Sequence, residues 1–490
     1  MDAFRGNYVG GRFVPASGTL FSSTDPAAPQ TTVFEAFSDP SAVDWAVATA
    51  RAALPAWRRT PRHERVAAIQ RIKDVLPRHA EGLAEAISSE MGKVLAEAQA
   101  EVRGIAGKIN AIVALLDSEL PAAAAGAPGE QRFHSLGVTA IVGPFNFPIH
   151  LVHTHVIPAL LTGNTVVVKP SEVTPLTGQR YAQLMADAGL PDGVFNLLQG
   201  RGDVGAALVA HPDVRSIAFT GSYRTARRIR EATFDQPYKK VCLELGGKNP
   251  AVILDDADPD QVVREVLLGA LLTTGQRCTA TSRVIATPGI APILEARLTE
   301  LLSRIQPSNP RAPGAFMGPL ANEASLERYQ RLLRAGREEG AHVLVESRTL
   351  PGGWYVTPGL YKVQGHERLV SEELFGPHVC FEVAHDEDDA FVRAAANPYG
   401  LSASLFSARP EAFERFYDEV PAGVMNFNRS TNGASGLLPF GGIGMSGNFN
   451  PSGSTSLRLV TYPVAVMQVP FGQITGHQAL EAALDPMVGA

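Results

Sequence analysis

Residues 273–279 read TTGQRCT, and residues 241–250 read VCLELGGKNP. Cys278 stands in a polar, glycine-containing loop, whereas a structural free cysteine normally packs as a small hydrophobic side chain. A cysteine nucleophile reacts as the thiolate, so it needs a positive neighbour or backbone N–H groups that lower its pKa. Arg277 is the nearest candidate for that neighbour. The alternative interpretation is an inert thiol, because reactivity depends on the local field.

Glu244 lies within an apolar run that predicts a strand ended by Gly246 and Gly247. A partly desolvated carboxylate at that position is suited to accept a proton from water near neutral pH. The alternative is a solvent-facing glutamate at a strand end. We interpret the two glycines as the boundary between a cofactor domain and a catalytic domain, so that Glu244 and Cys278 face one cleft.

Both segments resemble the aldehyde dehydrogenase superfamily, whose signature pairs an ELGGK-type glutamate with a GQxC-type cysteine. Further segments that resemble the family follow in its order, and they are GPFNFP at 143–148, VKPSE at 168–172, FTGS at 219–222, EELFGP at 372–377 and PFGG at 439–442. The resemblance implies oxidation of an aldehyde to a carboxylic acid. It also implies an α/β fold with a Rossmann-type cofactor domain, an α/β catalytic domain and a β oligomerisation arm.

The composition is typical of a globular protein with more than one core. The chain has 490 residues, of which 45% are hydrophobic and 19% are charged. With a net charge of −6, the chain has no overall positive field that would attract nucleic acid or an anionic membrane. Its apolar runs are shorter than the roughly 20 residues of a membrane span.

The cysteine content and the N-terminus predict a cytoplasmic protein. Only three cysteines occur, which fits a reducing compartment better than a disulfide scaffold. The first residues lack the charged and then apolar layout of a secretory signal.

The pattern of apolar residues predicts the order of the elements. Short strands are expected across residues 7–38 and four helices from Pro40 to about Leu120. Strands and helices then alternate from Val138, which predicts a parallel doubly wound sheet, and a second alternating set begins after Pro250. The β-branched run from Leu457 to Phe471 predicts a further strand.

These patterns and the resemblance together imply a division of the chain into three parts. They are an NAD-binding domain at 1–120 and 138–247, a catalytic domain at 248–455, and an oligomerisation arm with a C-terminal tail at 121–137 and 456–490. The resemblance implies that the last strand pairs with the arm near residue 131 and reaches a partner subunit. We therefore expect a homodimer or homotetramer.

Residues 200–205 read GRGDVG, a literal G-x-G-x-x-G between a predicted strand and a predicted helix. No acidic residue stands at the next strand end to hold a ribose. In the resembled family the lysine and glutamate of the KPSE segment hold it, here Lys169 and Glu172. A carboxylate there would accept hydrogen bonds from a 2′-hydroxyl and repel a 2′-phosphate, which favours NAD and leaves NADP possible.

The helix that begins at Ser222 could direct its N–H groups at a pyrophosphate, the alternative being an ordinary capped surface helix. The resemblance assigns Glu373 and Phe375 to the nicotinamide ribose. The predicted cofactor-binding residues are Pro144, Phe145, Lys169, Ser171, Glu172, Gly202, Gly221, Ser222, Leu245, Gly246, Glu373 and Phe375.

The resemblance also assigns the catalytic roles. Cys278 would be the nucleophile and Glu244 the group that activates water. Asn146, in a loop held by Pro144 and Pro148, would form an oxyanion hole with the Cys278 N–H, although an ordinary turn residue is the alternative. Two other classes stay open, a non-catalytic metabolite-binding protein and an aldehyde-forming reductase such as an acyl-phosphate reductase. The second has no need for a water-activating Glu244.

An anionic semialdehyde is the favoured substrate class, because Arg277 and Arg429 could hold a carboxylate. His150 is a further candidate for the substrate tunnel. With His153 and His155 it resembles a metal-binding cluster at first, but no acidic or cysteine partner lies nearby in sequence, so we predict no metal. Cys242 is interpreted as a packing residue.

Overall fold

The computed structural model describes residues 3–122, 129–473 and 476–488. Within those ranges, no helix combines the length and the hydropathy needed to cross a bilayer. Parts of the predicted arm and tail, namely 123–128, 474–475 and 489–490, lie outside the described residues, as do residues 1–2 of the predicted cofactor domain.

Two hairpins and four helices come before the first large set of parallel strands. They are β1 (Asn7–Val9), β2 (Arg12–Val14), β3 (Thr19–Asp25), β4 (Ala28–Ser38), α1 (Ala42–Arg59), α2 (Arg62–Met91), α3 (Leu95–Ala114) and α4 (Leu116–Glu119). All four predicted helices are present, although α4 is a single turn. Helix α2 ends at Gly92, whose φ of 73° places it in the left-handed region that glycine adopts at helix ends.

The next segment alternates strands and helices, as predicted. It contains β5 (Glu130–Ser135), β6 (Val138–Val142), α5 (His150–Leu161), β7 (Thr165–Lys169), α6 (Pro175–Asp187), β8 (Phe195–Leu197), α7 (Gly202–Ala210), β9 (Val214–Thr220), α8 (Tyr223–Ala232) and β10 (Lys240–Glu244). The sheet order is β10-β9-β6-β7-β8-β1-β2, parallel from β10 to β8 and antiparallel at β1 and β2.

The apolar run of β7 explains why this sheet is covered on both faces. Val166 and Val168 belong to one buried cluster, whereas Val167 between them belongs to another. Successive side chains of a strand point to opposite faces, so both faces carry a packed layer. The carboxyl ends of β6, β7, β9 and β10 meet at one edge of the sheet, and the segments GPFNFP, VKPSE, FTGS and LGGK lie at or directly after these ends.

A second seven-stranded sheet follows, with the order β13-β16-β17-β12-β11-β19-β20. Only β13 is antiparallel to its neighbour. The elements of this segment are β11 (Asn249–Ile253), α9 (Pro259–Leu271), β12 (Thr281–Ala286), α10 (Ala291–Arg304), α11 (Glu323–Glu338), β13 (His342–Val345), β14 (Thr349–Leu350), β15 (Tyr355–Val356), β16 (Gly359–Lys362), α12 (Arg368–Ser371), β17 (His378–Val383), α13 (Glu387–Ala395), β18 (Tyr399–Gly400), β19 (Ser402–Phe406), α14 (Pro410–Glu419) and β20 (Val424–Phe427).

The C-terminal segment returns to the first half of the chain. It contains β21 (Pro439–Phe440), β22 (Ile443–Gly444), β23 (Ser452–Gly453), α15 (Ser456–Leu459), β24 (Thr461–Val466) and α16 (Gln478–Val488). Strand β24 pairs antiparallel with β5, with Thr461 opposite Ser135. The strand predicted across 457–471 is therefore shorter than expected, because a helical turn occupies residues 456–459.

Candidate active site

A cavity of about 570 Å³ opens where β6, β7, β9 and β10 end. Every residue predicted from the sequence to bind the dinucleotide lines this cavity, and so do Asn146 and Cys278. The motifs are far apart in the sequence, but parallel strands bring their carboxyl ends to the same edge of a sheet.

Lys169 and Glu172 form an ion pair at the cavity wall, with 2.8 Å between Nζ and Oε2. Burial alone would raise the pKa of Glu172, but the Lys169 ammonium and its hydrogen bond lower that pKa below its usual value. Glu172 is therefore a carboxylate at neutral pH, and it is half exposed at the cavity. It can accept hydrogen bonds from a sugar hydroxyl group there.

The beginning of α8 is a second polar wall. Ser222 caps the helix by accepting a hydrogen bond from the Thr225 N–H at 3.2 Å, and both residues line the cavity. Gly202, at the start of α7, has open space where a Cβ would stand. These two helix N-termini and the Lys169–Glu172 pair fit the pyrophosphate and the ribose of a nicotinamide dinucleotide.

Glu373 lies on the other side of the cavity and is fixed to the backbone. Its carboxylate accepts a hydrogen bond from the Gly247 N–H at 3.0 Å, and Arg328 donates to the Glu373 backbone carbonyl. Burial raises the pKa of Glu373, and the Arg328 charge opposes that rise. Phe375 adopts a left-handed φ of 59° and packs edge-on against Phe145, with 5.8 Å between ring centroids.

Some lining residues were not found from the sequence. Arg228, Thr225 and Arg328 line the same cavity. Arg228 and Thr225 share α8 with no motif of their own, and Arg328 comes from α11, more than forty residues before Glu373. Only the folded chain brings them to the cavity.

The loop before Cys278 is held in an uncommon conformation. Thr273, Thr274 and Gly275 have φ values of 57°, 57° and 67°, which side-chain-bearing residues rarely adopt. Thr273 donates a backbone hydrogen bond to the Glu97 carboxylate at 3.1 Å, and Asn249 Nδ2 donates to the Cys278 carbonyl oxygen at 2.8 Å. Such strained residues persist only when their surroundings hold them, and they are concentrated at functional sites.

Arg277 does not activate Cys278 as predicted. Its guanidinium forms an ion pair with Glu97 at 3.1 Å and donates to Thr273 Oγ1 at 2.9 Å. The pKa of the Cys278 thiol is raised to about 12 by burial and by the nearby negative charges of Glu244 and Glu373. The prediction that Arg277 lowers the pKa of this thiol is therefore wrong.

Asn146 is buried beside the loop of residues 273–279 that carries Cys278. Its Nδ2 donates a hydrogen bond to the Gln276 carbonyl oxygen at 3.0 Å, two residues before Cys278. An amide nitrogen carries two protons, so the second proton is available to a developing oxyanion. Behind this loop, the Glu101 carboxylate caps α5 by accepting the N–H groups of Ile149 and His150, each at 3.1 Å.

Glu244 is buried beneath the cavity surface. Its carboxylate lies 3.8 Å from His155 Nε2 and accepts a 3.5 Å hydrogen bond from Thr220. Among the described residues, Glu244 Oε1 and His155 Nε2 have no hydrogen-bond partner. Cys278 lines two cavities, and Glu244 lines neither of them. The sequence predicted that Glu244 would face the same cleft as Cys278, but its carboxylate lies behind the cavity wall.

The three histidines of α5 have separate surroundings. His150 lines a cavity beside Cys278, His153 bonds to the Tyr181 hydroxyl at 2.8 Å, and His155 faces Glu244. His155, Cys242 and Glu244 lie within 4.8 Å of one another. The Cys242 thiol donates to the Asn450 carbonyl at 3.1 Å, and burial raises its pKa, so it packs there as a neutral thiol.

A second cavity of about 470 Å³ reaches Cys278 from the side of α3 and α5. Phe147, His150 and Arg277 line it. Arg429 does not line this cavity, because its side chain is exposed and lies beside Gly433. The structure therefore does not support the predicted role of Arg429 in binding the substrate. Lys108 of α3, a cation that belongs to none of the sequence motifs, lines the cavity instead.

Residues 13–466 match the aldehyde dehydrogenase family, and the chain belongs to that family. The protein is accordingly an oxidoreductase that acts on aldehydes with a nicotinamide dinucleotide. This confirms the predicted activity.

Two similar proteins have narrower names. N-succinylglutamate 5-semialdehyde dehydrogenase 2 of Caulobacter vibrioides is 39% identical over 94% of this chain and 96% of its own length. N-succinylglutamate 5-semialdehyde dehydrogenase of an Enterobacter species is 34% identical over 98% of this chain and 97% of its own.

Solved structures confirm the fold class. Aldehyde dehydrogenase of Bartonella henselae superposes with a TM-score of 0.91 at 29% identity, covering 96% of this chain and 100% of that one. Aldehyde dehydrogenase C of Pseudomonas syringae, solved with NAD+ and octanal, gives 0.89 at 32% identity, covering 94% and 96%.

Proposed function

We propose that this protein oxidises an anionic semialdehyde, such as N-succinyl-L-glutamate 5-semialdehyde, to the carboxylate with NAD in arginine catabolism. The observation that carries the proposal is the position of Cys278, which lines both the dinucleotide cavity and a second cavity that contains cationic side chains. The names of the similar proteins from Caulobacter and Enterobacter support the same substrate. The alternative is a broader-specificity enzyme for other semialdehydes or for aliphatic or aromatic aldehydes, which the apolar lining residues Leu151, Leu437 and Phe440 favour.

The proposed reaction proceeds through a covalent thioester. Cys278 gives up its thiol proton to solvent, Sγ attacks the aldehyde carbon, and Asn146 Nδ2 and the Cys278 N–H stabilise the oxyanion. A bound nicotinamide dinucleotide would supply the acceptor for the hydride that leaves this carbon, and the positive charge that favours a thiolate. Glu244 then takes a proton from water, whose oxygen attacks the thioester carbon. The C–S bond breaks, releasing the carboxylate and the Cys278 sulfur.

The substrate proposal predicts a preference that a panel of aldehydes will measure. Purified protein is assayed with N-succinylglutamate semialdehyde, glutamate semialdehyde, succinate semialdehyde and hexanal. We expect kcat/KM for the first to exceed that for hexanal by about 10- to 100-fold, because a charge-assisted contact to a carboxylate contributes roughly 1.5–3 kcal/mol. Equal kcat/KM for hexanal would favour the broader-specificity alternative.

The preference for NAD is tested in the same assay with each dinucleotide. Glu172 supports NAD, because its carboxylate would repel a 2′-phosphate, although it is partly neutralised by Lys169. The exposed Arg228 on α8 could offset that repulsion. A kcat/KM for NADP equal to that for NAD would remove the preference and leave the family activity intact.

We also propose the three-part division into a cofactor domain, a catalytic domain and an arm, with the arm in contact with a second copy of the chain. The β5–β24 ribbon and the segment after it expose large apolar side chains, namely Tyr462, Met467, Val469 and Phe471. Sedimentation equilibrium should give a mass of two or four chains, and a chain ending at residue 461, which keeps the buried Leu457 and Val460, should lose self-association. A monomeric full-length protein would contradict the proposal.

A further inference from the structure

One face of α3 forms a wall of the cavity on the substrate side of Cys278. The cavity is lined on this side by Gly104, Gly107, Lys108 and Ala111. The last three residues follow Gly104 by three, four and seven positions, which is the spacing of one helical face. A Cβ at Gly107 would meet no atom within 4 Å, so the wall is open there. Three small residues leave room beside Lys108, the only charged side chain among these four lining residues.

Lys108 is the cation of this cavity that has no ion-pair partner among the described residues. Arg277, the other cation of the lining, is paired with Glu97 and lies over the Phe147 ring at 5.3 Å. Lys108 makes no hydrogen bond or ion pair with the residues that the structure describes. Burial lowers the pKa of Lys108 to about 8, against the opposing effect of the Glu244 charge. A partly desolvated ammonium without a partner gains more from an incoming anion than an exposed one does.

The rest of the lining offers no competing negative charge. Its other polar members are neutral side chains such as Thr154, Asn432 and Ser435, and none of the lining residues is an aspartate or a glutamate. Burial and the Lys108 charge lower the pKa of His150 well below its usual value, so His150 is a neutral imidazole near pH 7. A ligand in this cavity therefore meets neutral hydrogen-bonding groups and one free positive charge.

We infer that Lys108 binds a carboxylate of the substrate while the aldehyde group stands at Cys278. The inference deepens the proposed function and rests on it, because it names the residue that selects aldehydes bearing a carboxylate. The carboxylate oxygen accepts a hydrogen bond from the Lys108 ammonium, and the small side chains of α3 accommodate the chain of the substrate. Arg277 is held by its ion pair with Glu97 of the same helix and is not required for the charge recognition.

A different role for Lys108 would have a different kinetic signature. If the ammonium acted on Glu244 or on the packing of α3 against α5, its removal would lower kcat for every aldehyde alike. If it binds substrate, its removal raises KM only for aldehydes that carry a carboxylate.

The test compares Lys108→Met with Lys108→Arg, which keeps the charge, and with Arg103→Met, which removes an exposed charge from the opposite face of the same helix. We expect Lys108→Met to raise KM for N-succinylglutamate semialdehyde by about 10- to 100-fold with kcat within about threefold, the range typical of a charge-assisted hydrogen bond. For hexanal, kcat/KM should change less than threefold. Lys108→Arg should keep most of the affinity, and Arg103→Met should match the unchanged protein.

A second measurement separates this inference from the proposed function. Glutarate is used as a competitive inhibitor of hexanal oxidation, so the result does not depend on which semialdehyde the enzyme turns over. Its inhibition constant should rise about tenfold or more in Lys108→Met. An unchanged inhibition constant, or equal losses of kcat/KM on hexanal and on the semialdehyde, would overturn the role of Lys108. The enzyme could instead fail to oxidise N-succinylglutamate semialdehyde while Lys108→Met still weakens inhibition by glutarate. That result would overturn only the proposed substrate.

Discussion

Cys278→Ser is expected to lower kcat/KM for every aldehyde by roughly 10,000-fold or more, in line with the loss of a covalent nucleophile in other enzymes. Serine keeps the size and the loop contacts of residue 278, including the hydrogen bond from Asn249 to the backbone carbonyl. The hydroxyl group is a far weaker nucleophile than a thiolate, so the thioester cannot form. The rate of dinucleotide reduction, followed by absorbance, measures the loss.

Cys380→Ala is the matched control. Cys380 is fully buried on β17, and its thiol donates a hydrogen bond to the Leu369 carbonyl at 3.1 Å. It lines neither cavity, so this variant should keep its activity within about threefold while losing stability from packing and from the hydrogen bonds of the thiol. Retention of more than about 1% of the activity by Cys278→Ser would contradict covalent catalysis through this sulfur.

The motifs were sufficient to predict most of the cofactor cavity because those of the first domain follow the ends of parallel strands. Lys169 ends β7, Gly221 follows β9 and Leu245 follows β10, so a correct alternation of strands and helices also predicts which loops meet. No comparable rule applied to α3. Its apolar period showed a helix, but whether Lys108 faces solvent or a cavity depends on how α3 packs against α5.

Charge partners were the least predictable part of the site. Arg277 is next to Cys278 in sequence, and its proximity suggested a field that lowers the thiol pKa. Its partner Glu97 comes from α3, far away in the sequence, and removes that effect. Glu244 was predicted at the end of its strand, where it is, but the direction of its side chain depends on His155 and Thr220 from other elements.

The buried position of Glu244 has a mechanistic consequence. The carboxylate is near enough for its charge to raise the pKa of Cys278, yet it is turned toward His155 and lies outside both cavity linings. To activate water at the thioester, the side chain must rotate toward Cys278 or act through a water molecule. Rotation would break only the long hydrogen bond from Thr220 to Oε2, because Oε1 accepts none from the described residues.

Glu244→Gln is expected to block the second half of the reaction and leave the first. Glutamine has nearly the same shape but cannot take a proton from water, so hydrolysis of the thioester should slow by about 100- to 10,000-fold. Attack by Cys278 and loss of the hydride do not require this carboxylate. Rapid mixing should therefore show a burst of about one reduced dinucleotide per active site, followed by very slow turnover.

The control for this change is Glu90→Gln, which replaces a buried carboxylate of α2 that accepts hydrogen bonds from Ser23 and Thr177. It lies outside both cavities and should keep normal turnover. A small thiol added to Glu244→Gln should restore dinucleotide reduction, since a thiol attacks the thioester without needing water to be activated. Loss of the burst in Glu244→Gln would show that the carboxylate is needed to form the thioester. Normal steady-state turnover would show that it has no role in the reaction.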